Sequence, residues 1–338
     1  MKHVLVVGAG LAGCVVAEEL SANGARVTII EVSHQIGGKV RSYGCKATDS
    51  CNNCGVCLTA GLWEKVENRR DVSVLFGSEL LDLTREADGT FTAVIRREGQ
   101  METIESIHHV VVATGFEQTT IQSFNGFVEL DNPQSVITGS QIEAKLQERK
   151  VRSLFDTPPK SVAFIQCYGS RDQHEHTMYC SRVCCSYATR AAKVIKHFYP
   201  ECRIVFYYME MQMVAQGDWF QSLTDLGIEF VKCRPTQVKG GEQATVTYDN
   251  PSTGMRESEA FDLVVLSDGI RAGSGARKMA ELCGFAQDDT GFLHTVDTGK
   301  QQEVWLAGCA KGPKKIEETY AEAMAVAKGI LFSQEAVK

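Results

Sequence analysis

Short runs of apolar residues alternate with stretches of helical periodicity along the chain. The first apolar run covers His3–Val7, a helical pattern follows it, and a second apolar run covers Arg26–Ile30. Continuous apolar runs of this length are typical of strands that are buried on both faces of a parallel sheet. The order of strand, helix and strand therefore predicts a βαβ unit at the start of an α/β protein.

The same pattern returns in the middle of the chain. Residues 161–165 and 203–208 have the character of strands, a helical segment lies between them, and residues 261–269 form a further apolar run. This predicts a second domain of the same Rossmann type at 161–289, after a linker with one helix at 121–160. The first domain is then split, with residues 1–120 and 290–338 on either side of the second.

The turn after the first strand carries a glycine fingerprint, Gly8-Ala9-Gly10-Leu11-Ala12-Gly13, and the second strand ends at Glu31. Gly8 permits a tight turn, Gly10 lets the backbone approach a pyrophosphate, and Gly13 lets the helix pack closely on the strand. The helix N-terminus favours the anion, and Glu31 is placed to bind ribose hydroxyls. We therefore predict a dinucleotide site at this turn.

Charge and composition exclude several classes of partner. The 338 residues carry a net charge of −7 without any basic tract, which argues against a nucleic-acid surface. No apolar run approaches the length of a membrane span, and the first strand begins almost at Met1, so no signal peptide is expected. These features predict a cytoplasmic protein without a membrane span.

Cysteine is the unusual component, with 13 residues, eight of them in two groups. Clustered cysteines in a reducing compartment more often bind metal or perform redox chemistry than form structural disulfides. The second group follows the strand at 161–165, where Cys167 is predicted in a turn and Cys180, Cys184 and Cys185 at the start of a helix. Four thiolates in this arrangement satisfy a [4Fe–4S] cluster or a tetrahedral zinc ion. Arg171 and Arg182 would favour the anionic sulfurs.

The first group consists of Cys45, Cys51, Cys54 and Cys57. Its spacing is compatible with a second cluster or another metal ion, and equally with reactive or structural thiols. Both interpretations stay open.

Three segments resemble the flavoproteins of the thioredoxin reductase and glutathione reductase type. They are the Gly37-Gly38 stretch, the Ala113-Thr114-Gly115 strand end and the strand that leads to Gly308. The resemblance implies an α/β flavoprotein with two dinucleotide-binding-type domains of three layers each, and FAD in the first. The residues expected to bind FAD are Gly8, Gly10, Ala12, Gly13, Glu31, Val32, Gly38, Lys39, Leu80, Ala113, Thr114, Gly115, Gly308, Cys309, Lys315 and Ile316.

Two departures from that class are informative. Cys309 stands where the class has an aspartate that binds the ribityl chain, so this contact must be replaced or lost. The turn at residues 166–172 lacks the second glycine fingerprint, so we predict no NAD(P)H in the middle domain. Lys39 and Arg41 are candidates for stabilising a reduced, anionic flavin.

The segment Gln166-Cys167-Tyr168-Gly169-Ser170-Arg171-Asp172, followed by Tyr179-Cys180-Ser181-Arg182-Val183-Cys184-Cys185, resembles the signature of the A-type subunits of heterodisulfide reductases. The resemblance implies a [4Fe–4S] cluster on Cys167, Cys180, Cys184 and Cys185. The compact chain is most similar to the short form of sulfur oxidisers, which implies electron transfer in a complex with B-type and C-type subunits during oxidation of sulfane sulfur.

A homodimer is also expected. No side-chain acid, base or nucleophile is assigned. The alternative is a flavin-dependent disulfide reductase that uses Cys54 and Cys57, or Cys184 and Cys185, directly as redox thiols.

Overall fold

The structure is a computed structural model that describes residues 2–121, 126–131, 133–147, 155, 157–173, 175–212, 219–296 and 303–335. Parts of the predicted linker, at 122–125, 132, 148–154 and 156, lie outside this set. The chain forms two compact units. Unit 1 comprises Met1–Arg41, Gly55–Glu117 and Ala272–Lys338, and unit 2 comprises Ser42–Cys54 and Gln118–Arg271.

The elements of the described residues are numbered in chain order. The strands are β1 (His3–Val7), β2 (Arg26–Ile30), β3 (Val72–Leu75), β4 (Ser78–Arg85), β5 (Phe91–Arg97), β6 (Gln100–Ile107), β7 (His109–Val112), β8 (Phe116–Gln118), β9 (Val128–Leu130), β10 (Val136–Thr138), β11 (Ser161–Tyr168), β12 (Arg203–Tyr207), β13 (Ile228–Val231), β14 (Gln237–Gly240), β15 (Ala244–Asp249), β16 (Arg256–Phe261), β17 (Leu263–Asp268), β18 (Ile270–Ala272), β19 (Ala286–Gln287), β20 (Leu293–His294) and β21 (Val304–Leu306). The helices are α1 (Leu11–Ala22), α2 (Leu62–Asn68), α3 (Gly139–Gln147), α4 (Cys184–Phe198), α5 (Trp219–Thr224), α6 (Ala276–Cys283) and α7 (Ile316–Glu335).

Unit 1 is built on a parallel sheet of five strands in the order β3-β2-β1-β7-β21. Its central strands are apolar on both faces because each face is covered. One core includes residues of α1 and α7, and the other includes residues of α6 and of β4 and β5, which belong to an antiparallel three-stranded sheet. This is the three-layer arrangement predicted for the first domain.

Unit 2 repeats that sheet order with different strands. Its parallel sheet runs β13-β12-β11-β17-β10, so β11 takes the central position that β1 has in unit 1. Helices α3, α4 and α5 contribute to the core on one face, and β14 to β16 contribute to the core on the other. The edge strand β10 comes from the stretch in which the sequence pattern indicated only a helix and a linker.

A short segment that is inserted in the sequence of unit 1 packs within unit 2. In this segment, residues 42–54, the ammonium group of Lys46 forms a buried ion pair with the carboxylate of Glu143 on α3. Lys46 Nζ also donates to the Gly44 carbonyl at 2.8 Å. Burial raises the pKa of Glu143, and the positive charge of Lys46 opposes that shift.

A second anchor of the same segment comes from α4. Arg190 Nε donates to the Asn52 carbonyl at 2.8 Å, and its Nη2 donates to the Asn53 carbonyl at 2.5 Å. The Asn52 side chain in turn donates to the Lys46 carbonyl at 2.6 Å. Residues 42–54 are therefore held to α3 and α4 by a connected set of charged and hydrogen-bonding groups.

The ion pair predicts an asymmetric mutational effect. Lys46→Met leaves the buried carboxylate of Glu143 without its cation, so we expect the free energy of unfolding to fall by about 3 kcal/mol. The double variant Lys46→Met/Glu143→Leu should recover most of that loss because no buried charge remains. Urea unfolding followed by tryptophan fluorescence under anaerobic conditions measures both.

The control for this prediction is Glu281→Gln, which breaks the exposed pair of Arg277 and Glu281. It should change the free energy of unfolding by less than about 0.5 kcal/mol. Equal losses for Lys46→Met and Glu281→Gln would contradict the anchoring role of Lys46.

Candidate functional site

The glycine-rich turn of unit 1 lies between β1 and α1. The Gly8 N–H donates to the Ile30 carbonyl at 2.8 Å. A Cβ atom at Gly13 would lie 1.9 Å from the Gly8 carbonyl oxygen, so only glycine lets α1 approach β1 this closely. A Cβ atom at Gly10 would meet no atom within 4 Å, so this backbone borders an open cradle at the helix N-terminus. Ala12 is buried in the first turn of α1.

Glu31 follows β2 and fixes the same turn. One of its carboxylate oxygens accepts the Ala9 N–H at 2.7 Å, and the other accepts the Ser33 N–H at 2.8 Å. The neighbouring side chain of Val32 is 71% exposed. Because each carboxylate oxygen can accept more than one hydrogen bond, Glu31 can support the turn and still accept from a ribose hydroxyl.

The Gly37-Gly38 stretch closes over the glycine turn. The Gly37 N–H donates to the Ala9 carbonyl at 2.7 Å. A Cβ atom at Gly38 would lie 3.1 Å from the Gly10 Cα atom. The two glycine segments thus border the same cradle, as the sequence resemblance implies.

The strand end after β7 lies against the turn from the other side. The Ala113 N–H donates to the Val7 carbonyl at 2.9 Å, and a Cβ atom at Gly8 would lie 2.6 Å from the Ala113 carbonyl oxygen. Thr114 and Gly115 follow directly, at the same edge of the sheet. This edge is where α/β folds of the doubly wound type bind their ligands.

The segment after β21 contains the departure at Cys309. Its thiol is buried beside the Thr319 hydroxyl, at 3.9 Å, and burial raises its pKa. The Gly308 N–H donates to the carboxylate of Glu322 at 3.0 Å, and Lys311 pairs with the same carboxylate at 2.8 Å. Glu322 thus brings a carboxylate to this segment from α7. Sequence pattern alone does not reveal this contact, because Glu322 lies in a different element.

The next residues begin α7. The Lys315 N–H donates to the Glu318 carboxylate at 2.9 Å, which is one half of a capping box, and Ile316 is the first residue of the helix. The electropositive start of a helix favours a nearby anion.

Three other predicted residues have defined surroundings. The Lys39 ammonium lies 5.4 Å from the centre of the Phe116 ring. Arg41 Nη1 donates to the Ile36 carbonyl at 3.2 Å. The side chain of Leu80 is buried in the core that includes β4 and β5.

One observation of the structure shows that the glycine turn can accommodate the pyrophosphate of FAD. The backbone at Gly10 faces open space where a side chain would intrude, and a helix N-terminus begins beside it. That combination is what a pyrophosphate requires.

The second candidate site lies at the end of β11 and the start of α4. Cys167 is not in the turn after the strand, as the sequence predicted, but within β11, at an irregularity in its pairing with β17. Its φ angle of 63° is left-handed. Cys184 and Cys185 begin α4, as predicted, whereas Cys180 precedes the helix and does not share a helical face with Cys184. The chain reaches Cys180 through an irregular segment instead.

The residues between the cysteines of this motif hold its segments together. Ser170 and Ser181 are buried and hydrogen-bonded to each other, and Ser181 Oγ accepts the Ile270 N–H at 2.9 Å. Tyr179 donates its hydroxyl to the Ile270 carbonyl at 3.0 Å. A Cβ atom at Gly169, whose φ is 73°, would collide with the Thr119 hydroxyl at 2.1 Å. The serines, tyrosine and glycine of the motif therefore position the cysteines.

Three of the four cysteines, Cys167, Cys184 and Cys185, affect one another's pKa. A hydrogen bond with Cys184 lowers the pKa of Cys167 to about 7, and the charge of Arg171 contributes in the same direction. The same hydrogen bond, another with Cys185, and burial raise the pKa of Cys184. The hydrogen bond with Cys184 also lowers the pKa of Cys185, whereas burial raises that of Cys180.

Groups that suit anionic sulfur lie near these thiols. The positive charge of Arg171 lowers the pKa of Cys167, and the Arg171 Nη1 atom is buried without a hydrogen-bond partner. The Arg182 N–H donates to Cys180 Sγ at 3.3 Å. These donors fit a cysteine-ligated cluster, whose sulfurs accept hydrogen bonds. Among the residues described, no three His, Cys, Asp or Glu side chains are arranged around a single metal ion.

The first cysteine group is divided between the units. Cys45, Cys51 and Cys54 belong to unit 2, and Cys57 belongs to unit 1. Cys45, Cys51 and Cys57 are exposed, and Cys54 is half-buried. Cys51 Sγ accepts the Asn53 N–H at 3.4 Å.

Comparisons with known proteins agree with this geometry. Residues 6–60 match the NAD(P)-binding Rossmann-like domain family. The A-type subunit of the H(2):CoB-CoM heterodisulfide,ferredoxin reductase of Methanothermobacter marburgensis is 32% identical over 254 residues, which cover 69% of this chain and 38% of that protein. The A-type subunit of the ferredoxin/F(420)H(2)-dependent CoB-CoM heterodisulfide reductase of Methanosarcina acetivorans is 25% identical, over 98% of this chain and 53% of that protein.

The chain is a homologue of the A-type subunits of heterodisulfide reductases. It spans about half, or less, of the length of these curated relatives. Solved structures show the fold. Thioredoxin reductase from T. acidophilum superimposes with a TM-score of 0.64 at 14% identity over 100% of both chains. Bacillithiol disulfide reductase from Bacillus cereus gives a TM-score of 0.60 at 15% identity, over 97% of this chain and 98% of that one. The predicted thioredoxin reductase-like α/β fold is confirmed.

Within the described part of this heterodisulfide reductase homologue, no helix is both long enough and apolar enough to cross a bilayer.

The cradle predicts opposite outcomes for two glycines. Gly10→Ala adds a methyl group that meets no protein atom, so this variant of the heterodisulfide reductase homologue should fold normally. The methyl group would enter the space of the pyrophosphate, so we expect FAD to bind at least about tenfold more weakly. Gly13→Ala places its methyl group against the Gly8 carbonyl and should destabilise unit 1 by roughly 1–3 kcal/mol or more.

Flavin content per chain and thermal unfolding of both variants check this. If Gly10→Ala binds FAD as tightly as the unaltered protein, the cradle is not the pyrophosphate site.

Proposed function

We propose that this chain is an oxidoreductase subunit for electron transfer, with FAD in unit 1 and a [4Fe–4S] cluster in unit 2. When bound, these groups would exchange electron pairs for single electrons. The observation that carries the proposal is the connection between strand and helix in unit 2. There Cys167 at the end of the strand, Cys180 in the connection, and Cys184 and Cys185 at the start of the helix stand where unit 1 has its glycine turn.

The two units differ most at this connection. In unit 1 the chain passes from β1 to α1 through residues 8–10, so the helix N-terminus lies at the strand end. In unit 2 residues 169–183 separate β11 from α4. A nucleotide phosphate needs a close helix N-terminus and glycines, whereas the longer connection of unit 2 supplies Cys180, two serines and two arginines. We therefore propose that unit 2 does not bind NAD(P)H.

The roles of the remaining residues follow from their chemistry. In unit 1, the glycine segments and the N-termini of α1 and α7 would bind the anionic parts of FAD, and Lys39 would favour its reduced form electrostatically. In unit 2, Cys167, Cys180, Cys184 and Cys185 would ligate iron, and the buried serines would keep the thiols in register. No side chain is required as an acid, base or nucleophile.

The biological setting is part of the same proposal. We propose B-type and C-type subunits as partners because the homologues are named as subunits of heterodisulfide reductases. The resemblance to the short form supports a cytoplasmic role in sulfane-sulfur oxidation, as a homodimer. Cys45, Cys51, Cys54 and Cys57 would then act as thiols or hold a second metal site.

A ligand substitution tests the cluster assignment. Cys184→Ala removes a buried thiol that is one of the four proposed ligands, so anaerobically purified variant protein should lose its iron and sulfide while retaining FAD. Cys202→Ala is the matched control, because Cys202 is also a buried cysteine of unit 2 and lies outside the motif.

The iron content of the unaltered protein separates the alternatives. About four irons per chain agree with one cluster, and about eight would assign a second cluster to the first cysteine group. Bound FAD without iron, together with thiol turnover, would instead establish the disulfide reductase. A Cys184→Ala variant that keeps four irons would refute the ligand set.

A further inference from the structure

The segment 308–314, which follows β21 in unit 1, is closed by contacts among its own groups. The Lys314 ammonium donates to the Gly308 carbonyl at 3.1 Å, and the Gly312 N–H donates to the Cys309 carbonyl at 3.1 Å. The Cys309 thiol lies 3.8 Å from the Lys314 carbonyl and 3.9 Å from the Thr319 hydroxyl. The side chain at the position of the missing aspartate therefore contacts its own segment and α7.

Glu322 holds this segment from α7. One oxygen of its carboxylate accepts the Gly308 N–H at 3.0 Å, and the other lies 2.8 Å from the Lys311 ammonium. The Lys314 ammonium approaches the same carboxylate at 3.4 Å. The side chains of Glu322 and Lys314 are only 20% and 17% exposed, so water screens their attraction less than it screens a surface pair. One carboxylate thus connects the beginning, the middle and the end of the segment.

Gly308, the residue that Glu322 holds, also packs against the glycine turn. Its backbone is left-handed, with φ of 74°, and a Cβ atom at this position would lie 2.8 Å from the Cβ atom of Ala12. Ala12 belongs to the first turn of α1, which begins at the cradle. The hydrogen bond from Gly308 to Glu322 therefore fixes a backbone position directly beside the cradle.

The sheet order places this segment on one side of the cradle. In the order β3-β2-β1-β7-β21, Glu31 at the end of β2 and Gly308 after β21 lie on opposite sides of β1. A dinucleotide with its pyrophosphate at the turn after β1 and its adenosine ribose at Glu31 would extend its other half toward β7 and β21. For FAD, that other half contains the ribityl chain and the flavin ring.

We propose that Glu322 is a positioning residue for FAD, which fixes the segment 308–314 in the conformation that receives the flavin half. It acts on the Gly308 N–H and on the two lysines, from an element that the sequence resemblance does not single out. The inference rests on the proposed function, since it requires FAD in unit 1. A segment that is already ordered costs less free energy to fix when the ligand binds, so loss of Glu322 should weaken FAD binding.

The test compares FAD with ADP, which contains adenosine and pyrophosphate but no ribityl chain and no flavin ring. Glu322→Ala removes the acceptor of the Gly308 N–H and the anionic partner of both lysines, so the dissociation constant of FAD should rise about tenfold. The dissociation constant of ADP should change by less than about twofold, because ADP does not extend to this segment. Isothermal titration calorimetry of the flavin-depleted full chain measures both constants.

Two further variants separate the contributions. Glu322→Gln keeps an oxygen that can accept the Gly308 N–H but removes the charge, so the dissociation constant of FAD should rise about threefold. Glu19→Ala is the matched control. The Glu19 carboxylate of α1 pairs with Lys328 of α7 at 3.0 Å and is 17% exposed, so its loss also breaks a shielded carboxylate–lysine pair of α7. It does not contact the segment, and the affinities for FAD and ADP should both stay unchanged.

The ratio of the two dissociation constants distinguishes positioning from a general defect of unit 1. A destabilised unit would bind FAD and ADP more weakly by the same factor, and this result in Glu322→Ala overturns the proposal. An unchanged affinity for FAD in Glu322→Ala overturns it as well. If Glu322→Ala does not fold, the same ratio measured in Glu322→Gln decides. An unaltered protein that does not bind FAD refutes the proposed function itself, and with it this inference.

Discussion

Burying several thiols in one place is the constraint on which the middle of this protein depends. Burial disfavours an isolated thiolate, and thiolates packed together repel each other unless cations or donors compensate them. The chain meets this requirement by bringing two segments together, the end of β11 with Cys167 and the start of α4 with Cys184 and Cys185. The serine pair, the Tyr179 hydroxyl and Arg171 then hold these segments at fixed positions.

The same sheet order serves two different connections in this protein. In both units the central strand has two parallel strands on each side. The chain leaves this strand through a tight glycine turn in unit 1 and through a long, polar, cysteine-containing connection in unit 2. The sheet provides a rigid edge, and the residues after its central strand decide what chemistry that edge supports. This separation of scaffold from site is why a thioredoxin reductase-like fold alone does not identify a function.

Local features of the site were accessible from sequence and long-range ones were not. The glycine turn, its flanking strands and the start of α4 at Cys184 could be predicted, because periodicity and spacing act over a few residues. The position of Cys180 outside the helix could not, since it depends on a serine contact with Ile270, far along the chain. The contacts of Glu322 and the anchoring of residues 42–54 on α3 and α4 likewise depend on partners in other elements.

The anchoring of residues 42–54 has a consequence for folding during translation. Lys46 is synthesised before its partners, and Glu143 and Arg190 follow roughly 5–30 seconds later at ordinary rates of translation. Until then Lys46 has no Glu143 carboxylate to pair with, and Cys45, Cys51 and Cys54 lie in a segment of the nascent chain that has not yet packed against α3 and α4. The order of synthesis therefore delays the anchoring of residues 42–54 until α3 and α4 have both emerged from the ribosome.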